Sequence, residues 1–430
     1  MKVAFYTLGC KVNQTESEYM AELLMKAGFE IVNHNEEADY YIINSCTVTA
    51  TADQKTRQNV RKFKRKHPDS VVILTGCMPQ AFPDDSKELV EADIVLGNKN
   101  NSDILSLINE YNINKTRILD INQHKTGDKF EECVISKFSE RVRAFVKIED
   151  GCDRFCSYCI IPMSRGRVRS KQLDVLKSEI EELAENGIKE IVLVGINLSA
   201  YGKNEDFNIV DAVKICAENE NIKRIRLGSL EPDHITDEVI EGLRKIDKFC
   251  PQFHISLQSG CTKTLKNMNR HYTAEEYMEL CNKLRLAFDD TSLTTDVMVG
   301  FNEETEEDFI DSLNFVKAIK FEKVHVFPYS EREGTLASKK GDSVSKQEKE
   351  RRAGIMIEET EKIRNEYFNS IIGNTVEVLF ENEVKKGIYQ GYTKNYTPVR
   401  LACDENIIGK ELNVIITEVG NDYCMSKLHS

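Results

Sequence analysis

Three cysteines near the middle of the chain have the spacing of a cluster-binding motif. Cys152, Cys156 and Cys159 form the pattern C-x3-C-x2-C. With 13 cysteines in 430 residues, chance would produce this pattern in roughly 1% of such chains. Structural zinc normally takes four ligands, and no fourth Cys or His follows at finger spacing. An iron–sulfur cluster bound by three thiolates fits the pattern better.

A four-iron cluster held by three thiolates has one iron that no protein side chain binds. The amino and carboxylate groups of S-adenosylmethionine can chelate such an iron, and electron transfer then cleaves the sulfonium bond. Phe155 and Tyr158 lie between the cysteines. Their rings either shield the cluster or stack on the cofactor, and packing within the loop is the alternative.

Three further cysteines occupy equivalent places in the first third of the chain. Short apolar runs at 3–7, 40–44, 71–75 and 94–96 indicate strands, and helical spacing at 16–26, 52–66, 87–90 and 102–111 alternates with them. This alternation predicts an open parallel α/β sheet. Cys10, Cys46 and Cys77 each follow the carboxyl end of a strand, where ligands collect. We expect a second metal site there, with buried structural cysteines as the alternative.

The middle of the chain predicts a partial (β/α)6 barrel. Apolar runs at 144–148, 190–194, 224–227, 253–257, 292–299 and 323–327 indicate its six strands. Active sites of such barrels lie at the carboxyl ends of the strands. The candidates there for binding S-adenosylmethionine or substrate are Gly195, Ser229, Glu231, Gln258, Asp296 and Tyr329, together with Tyr158 of the cysteine loop. For each of them, ordinary loop packing is the alternative.

The last part of the chain predicts a long helix and a small antiparallel β-barrel. A charged stretch at 339–367 has helical spacing, and short alternating strands follow at 375–380, 386–389, 398–401 and 411–418. We therefore predict three domains. They span 1–115, an open α/β sheet; 138–368, the partial barrel; and 369–430, the small barrel.

The cysteine pattern resembles the motif of the radical S-adenosylmethionine superfamily. The resemblance narrows to the methylthiotransferases, and among these to the MtaB branch, which acts on N6-threonylcarbamoyladenosine in the tRNA anticodon loop. Besides Cys46 and Cys77, the segments that carry it are Leu8-Gly9-Cys10-Lys11-Val12-Asn13, Cys159-Ile160-Ile161-Pro162, Arg165-Gly166-Arg167, Gly195-Ile196-Asn197-Leu198-Ser199-Ala200-Tyr201-Gly202 and Val324-His325-Val326-Phe327-Pro328-Tyr329-Ser330. One departure is Phe301-Asn302-Glu303-Glu304-Thr305, where the family usually has Phe-Pro-Gly-Glu-Thr.

The resemblance implies a transferase with two [4Fe-4S] clusters and two molecules of S-adenosylmethionine. The cluster on Cys152, Cys156 and Cys159 would generate a 5′-deoxyadenosyl radical, and the cluster on Cys10, Cys46 and Cys77 would carry the sulfur. The product would be the 2-methylthio derivative of the modified adenosine at position 37. The resemblance assigns no catalytic side chain. It further implies an electron donor such as flavodoxin or ferredoxin, and we expect a monomer.

The charge distribution indicates where tRNA binds. The net charge is −13, which argues against a uniformly basic nucleic-acid binder but allows local patches. A basic run without acidic residues spans 54–67, and a second one follows the cysteine loop at 165–171. Gly391-Tyr392-Thr393-Lys394-Asn395-Tyr396 resembles the TRAM module, which binds RNA, although its tyrosines could instead pack the barrel. The candidate RNA contacts are Lys62, Lys64, Arg65, Arg165, Arg167 and Lys394.

Composition excludes several other classes of protein. No apolar run reaches the roughly 20 residues of a membrane helix, and no export signal is recognised, so we expect a cytoplasmic protein without a membrane partner. Thirteen cysteines there indicate metal or thiol chemistry. Two alternatives remain. One is a sibling methylthiotransferase acting on isopentenyl-adenosine or a ribosomal protein, and the other is a non-catalytic iron–sulfur protein that binds RNA and senses redox state.

Overall fold

The computed structural model describes residues 1–135 and 142–429. Its N-terminal part is a parallel six-stranded sheet in the order β2-β1-β3-β4-β5-β6. The strands are β1 (Lys2–Thr7), β2 (Glu30–Val32), β3 (Tyr40–Ser45), β4 (Val71–Gly76), β5 (Ile94–Leu96) and β6 (Ile118–Asp120). The helices are α1 (Lys11–Lys26), α2 (Ala50–Lys66), α3 (Cys77–Ala81), α4 (Pro83–Glu88) and α5 (Ile104–Asn114). The predicted open parallel α/β sheet is confirmed.

Three local predictions for this sheet are corrected. Strands β2 and β6 were not expected, because each is short and partly exposed, whereas the equally short β5 is fully buried and apolar. The helix predicted at 87–90 begins earlier, at Pro83, whose ring suits the first helical turn, and it ends at Glu88. Because β6 pairs with β5, the sheet extends beyond the predicted domain boundary at 115. The predicted start of the next domain, residue 138, lies outside the described residues.

The central part is a partial barrel of two parallel sheets, in the orders β7-β10-β11 and β12-β13-β14-β15. The barrel strands are β7 (Arg143–Lys147), β10 (Glu190–Val194), β11 (Arg224–Leu227), β12 (Ser229–Leu230), β13 (Gln252–Ile255), β14 (Ser292–Val299) and β15 (Lys323–Pro328). Two short strands, β8 (Glu149–Asp150) and β9 (Arg169–Ser170), form a separate antiparallel pair. The helices are α6 (Ile161–Arg165), α7 (Leu173–Glu185), α8 (Ile209–Glu218), α9 (Asp237–Arg244), α10 (Thr262–Asn267), α11 (Ala274–Ala287), α12 (Glu306–Ile319) and α13 (Lys346–Ser370). All six predicted barrel strands are present, with ends within two residues of prediction.

The C-terminal part is a closed five-stranded barrel in the order β16-β17-β18-β20-β19. Its strands are β16 (Thr375–Lys385), β17 (Ile388–Thr393), β18 (Pro398–Ala402), β19 (Glu411–Val419) and β20 (Cys424–Leu428). The predicted small barrel is confirmed, although β20 was missed and pairs parallel with β18. Helix α13 begins at Lys346 rather than 339, because the Ser345 hydroxyl accepts a hydrogen bond from the Glu348 N–H and caps the helix there. In the described ranges, no helix is long and apolar enough to cross a membrane.

The turn after β14 keeps a left-handed backbone at a position where the family usually has glycine. Glu303 has φ +64°, a conformation that costs an L-residue roughly 1–2 kcal/mol. Its backbone N–H donates to the Ser343 hydroxyl at 2.7 Å, which holds the turn in place. The turn therefore forms without its usual Pro and Gly, at a cost in strain.

We expect Glu303→Gly to raise the thermal-unfolding midpoint by relieving this strain. The net gain is about 0.5–1 kcal/mol, because glycine also loses more chain entropy on folding. Glu303→Ala is the matched control, since it removes the same carboxylate but keeps a Cβ atom. Equal midpoints for the Gly and Ala variants would show that the turn is not strained.

Candidate functional site

The first cysteine triad lies at the carboxyl edge of the N-terminal sheet. Cys10 is the N-cap residue of α1, Cys46 directly follows β3, and Cys77 is the first residue of α3, after β4. Each thiol lies within electrostatic range of the others. A Cβ atom on Gly9 would lie only 2.9 Å from Cys46 Cβ, so the chain at Cys10 passes directly against Cys46. Three strand ends therefore bring the thiols to one edge.

Cys77 is the buried member of this triad and has two N–H donors near its sulfur. Its Sγ lies 3.3 Å from Arg165 Nε and 3.9 Å from Asn98 Nδ2. Burial raises the pKa of the Cys77 thiol to about 12, while Arg165 opposes that rise. Cys10 is exposed, and its Sγ lies 3.5 Å from Asn13 Oδ1. The thiols thus range from buried to open to solvent, which leaves one side of the triad accessible.

Arg165 is fully buried, which corrects its prediction as an RNA contact. Its guanidinium bonds both carboxylate oxygens of Glu16, and Nη2 donates to Asn13 Oδ1 at 2.8 Å. Lys147 joins the network through 2.8 Å bonds to Glu16 and Asp150. A side chain with no exposed surface cannot reach a phosphate. Arg165 instead links the barrel to the N-terminal sheet beside Cys77.

The prediction that the second basic run, residues 165–171, forms a continuous line of phosphate contacts is wrong for the same reason. Lys171 has no exposed surface and pairs with Glu179. Arg169, 9% exposed, lies 3.3 Å from Asp150. Of the four cations in this run, Arg167 alone is well exposed: its side chain is 55% exposed, pairs with Asp153 and covers the Phe155 ring at 4.6 Å.

The second triad lies in the loop between β8 and α6. Gly151 starts this loop with φ +88°, and a Cβ atom there would collide with the Arg167 carbonyl. The Cys152 N–H donates to the Gly166 carbonyl at 3.0 Å, and the Cys159 N–H donates to the Cys156 carbonyl at 3.0 Å. These bonds fold the loop so that all three sulfurs come within electrostatic range of one another. The three cysteines of the predicted motif therefore lie together in one folded loop, which forms a three-thiol cradle.

Charged side chains of the barrel surround this second triad. Arg270 Nη1 donates to Cys156 Sγ at 3.3 Å, and its Nη2 bonds Glu231. Arg154 also reaches Glu231, at 3.2 Å, and pairs with Asp233. Burial raises the pKa of the Cys159 thiol to about 12, and the neighbouring Cys156 adds to the rise. Ligation by a cluster removes such protons, and Arg270 would then face a thiolate.

Both triads present the sulfur donors that iron–sulfur clusters use. Each triad supplies three thiols and at least one N–H donor aimed at sulfur, the kind of hydrogen bond that tunes cluster potential.

The predicted cofactor residues gather at the barrel mouth but differ in their surroundings. Glu231 is engaged by two arginines, whereas Ser229 is exposed, with its hydroxyl 3.0 Å from that of Ser256. Gln258 has φ +67°, and its buried Oε1 has no hydrogen-bond partner among residues 1–135 and 142–429. An unsatisfied buried oxygen in a strained backbone is a position where a ligand donor would fit. Tyr158 packs edge-on against Phe301, 6.1 Å between ring centroids.

Sequence reasoning missed Glu149 and Asn197, a pair of buried polar residues beside Gly195. Glu149 Oε2 accepts the Asn197 N–H at 2.7 Å, while Glu149 Oε1 and Asn197 Oδ1, both buried, have no hydrogen-bond partner within the part of the chain that the structure describes. Burial raises the pKa of Glu149 well above its usual range. A Cβ atom on Gly195 would collide with Glu149, which explains the glycine. The available signal was the position of Glu149, three residues before the first cysteine of the loop.

Asp296 belongs to a histidine cluster inside the barrel. Its Oδ2 lies 3.3 Å from His254 Nε2, and the His254 and His325 rings are 5.8 Å apart. Burial lowers the pKa of His325, and the neighbouring His254 adds to that effect. The three side chains come from adjacent strands β13, β14 and β15.

The remaining RNA candidates divide into exposed and engaged side chains. Lys62 and Arg65 are exposed on α2 and, within the described part of the chain, have no ion-pair partner. Lys64 is largely occupied by Asp93, at 2.8 Å. Lys394 is 47% exposed and lies 4.0 Å from Glu377 Oε1. The first basic run thus keeps a free cationic face.

The tyrosines expected to stack on bases instead pack between the domains. Tyr392 and Tyr396 stack on each other, 4.6 Å between centroids and 14° between planes. Arg143 lies over both rings at 5.3 and 5.4 Å, and Arg226 covers Tyr396 at 4.8 Å. Arg226 also donates to the Lys394 carbonyl at 2.6 Å. This pair of rings forms part of the joint between the central and C-terminal barrels.

Three family models match successive parts of the chain. They are the family UPF0004 at residues 2–97, the radical SAM superfamily at 146–316 and the TRAM domain at 370–428. In fold, a radical S-adenosylmethionine methyltransferase from Kitasatospora setae matches with a TM-score of 0.57 at 14% identity, covering 76% of this chain and 74% of that one. That likeness concerns the fold alone.

Curated relatives match over nearly the whole length. A threonylcarbamoyladenosine tRNA methylthiotransferase of Bacillus subtilis is 38% identical over 98% of this chain and 95% of its own. A tRNA-2-methylthio-N(6)-dimethylallyladenosine synthase of Endomicrobium trichonymphae is 35% identical over 97% of each chain. Both triads, the partial barrel and the C-terminal barrel therefore lie within the aligned length.

Proposed function

The chain belongs to the radical S-adenosylmethionine tRNA methylthiotransferases of the MtaB type, and from this membership we propose its substrate and cofactors. The substrate is N6-threonylcarbamoyladenosine at position 37, next to the tRNA anticodon, and the product is its 2-methylthio derivative. The observation that carries the substrate is the 38% identity to a relative with that named activity over 98% of the chain. An iron–sulfur cluster and S-adenosylmethionine follow from the superfamily.

The site itself supports two clusters rather than one. The first triad, Cys10, Cys46 and Cys77, would hold one cluster and the second triad, Cys152, Cys156 and Cys159, the other, because each triad is a separate three-thiol cradle. When bound, the cluster on the second triad would supply the electron that cleaves S-adenosylmethionine, and the cluster on the first triad would carry the sulfur that is transferred. A C–H bond of the adenine ring is not acidic enough for a side-chain base, so radical chemistry is required.

The residues of the barrel mouth would bind and orient S-adenosylmethionine. Arg270 bonds both Cys156 Sγ and Glu231 and so holds Glu231 beside the cysteine loop. The unsatisfied oxygens of Gln258 and Asn197 offer acceptors for the amino and hydroxyl groups of S-adenosylmethionine. Gly195, Ser229, Asp296 and Tyr158 complete the mouth, and the barrel walls exclude water from the reacting carbon. The physiological electron donor would be flavodoxin or ferredoxin, and the enzyme would act as a monomer.

The alternatives are less well supported. The dimethylallyladenosine synthase is 35% identical, but Gly9-Cys10-Lys11-Val12-Asn13 resembles the threonylcarbamoyladenosine branch. A ribosomal-protein substrate gives no role to the free cationic face on α2. A non-catalytic redox sensor would not need the unsatisfied buried oxygens of Gln258 and Asn197 at the barrel mouth.

Mass spectrometry of tRNA nucleosides from a strain lacking this gene tests the proposal. We expect the 2-methylthio derivative to disappear, N6-threonylcarbamoyladenosine to accumulate, and the methylthiolated isopentenyl-adenosine to remain. Complementation with the wild-type gene should restore the derivative. Loss of the isopentenyl derivative instead would reassign the enzyme to the sibling activity.

Charge reversal of Lys62 and Arg65 should weaken tRNA binding. Removing one phosphate contact makes the slope of log affinity against log salt shallower by about 0.7–0.9, and the net charge of −13 adds repulsion. The measurement is the salt dependence of tRNA affinity by filter binding. The matched control reverses Lys214 and Lys223, two exposed cations outside the central barrel sheet. Equally weakened binding in both double variants would show that α2 is only a solvated surface.

A further inference from the structure

A pocket of about 340 Å³ lies at the junction of the central and C-terminal barrels. Strands β14 and β15, the end of α13, and strands β17, β18 and β20 with their loops all contribute to its walls. It is formed at the start of the barrel strands, the end opposite the cysteine loops. None of the residues assigned above to the clusters or to the barrel mouth lines it. We call it the junction pocket.

The junction pocket has an excess of cations. Lys323, Arg364 and Arg400 line it, together with the carboxylates of Asp422 and Glu322. Asp422 is bound by Arg364, and burial raises the pKa of Glu322 to about 7, so that carboxylate is partly neutral. In the described part of the chain, no carboxylate lies within ion-pair distance of Lys323 or Arg400. On a chain with a net charge of −13, this concentration of unpaired cations favours an anionic ligand.

Aromatic rings and amide groups complete the walls. Arg400 lies 3.6 Å over the Tyr423 ring centroid, and its Nε donates to Gln390 Oε1 at 2.9 Å. The stacked rings of Tyr392 and Tyr396 form another part of the lining. Flat aromatic and guanidinium faces bind the π-face of any base, and nearby cations hold the adjoining phosphate. An acidic peptide would use the cations but not these stacking faces, and inorganic phosphate alone would leave most of the volume unfilled.

We propose that the junction pocket binds one unpaired nucleotide of the tRNA substrate, with its base against Arg400 and Tyr423 and its phosphate beside Lys323. This inference rests on the tRNA substrate of the proposed function. It places a second anchoring point on the RNA, at a distance from the carbon that reacts. A duplex cannot use the pocket, because its bases are already stacked and paired.

The test compares two RNA probes with full-length reconstituted protein. One is an anticodon-arm hairpin with its single-stranded loop, and the other is a fully paired duplex of equal length. We expect Lys323→Gln combined with Arg400→Gln to weaken hairpin binding about tenfold or more, with a much smaller effect on duplex binding. The matched control is Lys386→Gln, which removes an exposed cation of the same small barrel outside the pocket. Iron content and the unfolding midpoint confirm that each variant is folded.

A cross-linking measurement keeps the inference testable if the double variant does not fold. A hairpin carrying a photoreactive uridine in its loop should cross-link to a peptide containing Tyr423 in the wild-type protein. Equal hairpin affinity in the double variant and in Lys386→Gln, or cross-links only to peptides outside the pocket, would overturn the inference. If wild-type protein binds the hairpin through Tyr423 but forms no methylthiolated product, the pocket stands and the proposed function fails.

Discussion

Replacing Cys10, Cys46 and Cys77 together with alanine is expected to halve the iron in anaerobically reconstituted protein and to abolish methylthiolation. Reductive cleavage of S-adenosylmethionine to 5′-deoxyadenosine should persist. The reason is that the two triads are separate: the first belongs to strand ends of the N-terminal sheet, and the second is folded by hydrogen bonds within its own loop. Iron analysis and quantification of 5′-deoxyadenosine on the same sample provide both readouts.

Two controls accompany this experiment. Alanine at Cys152, Cys156 and Cys159 should also halve the iron but abolish cleavage. Alanine at Cys403, which is half-buried in the C-terminal barrel and belongs to neither triad, should change neither readout. An unchanged iron count in the first variant would contradict the two-cluster account, and complete loss of cleavage would mean that the N-terminal sheet supports the radical site directly.

Replacing Arg165 with methionine should strongly destabilise the protein and its first cluster site. The change leaves the buried Glu16 with Lys147 as its remaining cation and removes the N–H donor to Cys77 Sγ. Removing one partner of a buried ion pair typically costs about 3–5 kcal/mol. We therefore expect a lower unfolding midpoint together with iron loss at the first triad. Denaturant unfolding and iron analysis measure the two effects.

Arg167→Met is the matched control, because Arg167 lies two residues away and its contacts, with Asp153 and the Phe155 ring, are at the surface. Its stability should change by less than about 0.5 kcal/mol. Arg165→Lys should recover part of the stability through its charge, but a single ammonium group cannot replace a guanidinium that bonds Glu16, Asn13 and Cys77 at once. Equal destabilisation in the Arg165→Met and Arg167→Met variants would contradict the buried-network account.

The location of Cys10, Cys46 and Cys77 at one edge of the sheet could be predicted from the sequence, because a local rule governs it. Parallel strands end at one edge of a sheet, so thiols that follow separate strands meet there whatever their distance along the chain. The loop triad is local as well, since its spacing and the flanking glycines lie within a few residues. The ends of the central strands were also predicted closely, because each strand corresponds to a local apolar run.

The errors concern contacts that no local pattern reveals. Arg165 looked like a surface cation because its partner Glu16 lies 149 residues away. The sequence suggested that Tyr392 and Tyr396 stack on bases. It could not show that Arg143, which comes from another domain, lies over both rings. Strands such as β2 are short and partly exposed, so they give no clear apolar signal. A run of charged or aromatic residues therefore does not show which of its side chains are exposed until their contacts with distant parts of the chain are known.

The most direct test of the central claim is a competition between two substrates in one reaction. Reconstituted enzyme, S-adenosylmethionine and reductant are given equal amounts of tRNA carrying N6-threonylcarbamoyladenosine and tRNA carrying isopentenyl-adenosine at position 37, and the nucleosides are analysed by mass spectrometry. We predict that the 2-methylthio group appears on N6-threonylcarbamoyladenosine and is absent from isopentenyl-adenosine. Methylthiolation of isopentenyl-adenosine, or cleavage of S-adenosylmethionine without methylthiolation of either nucleoside, would contradict the account.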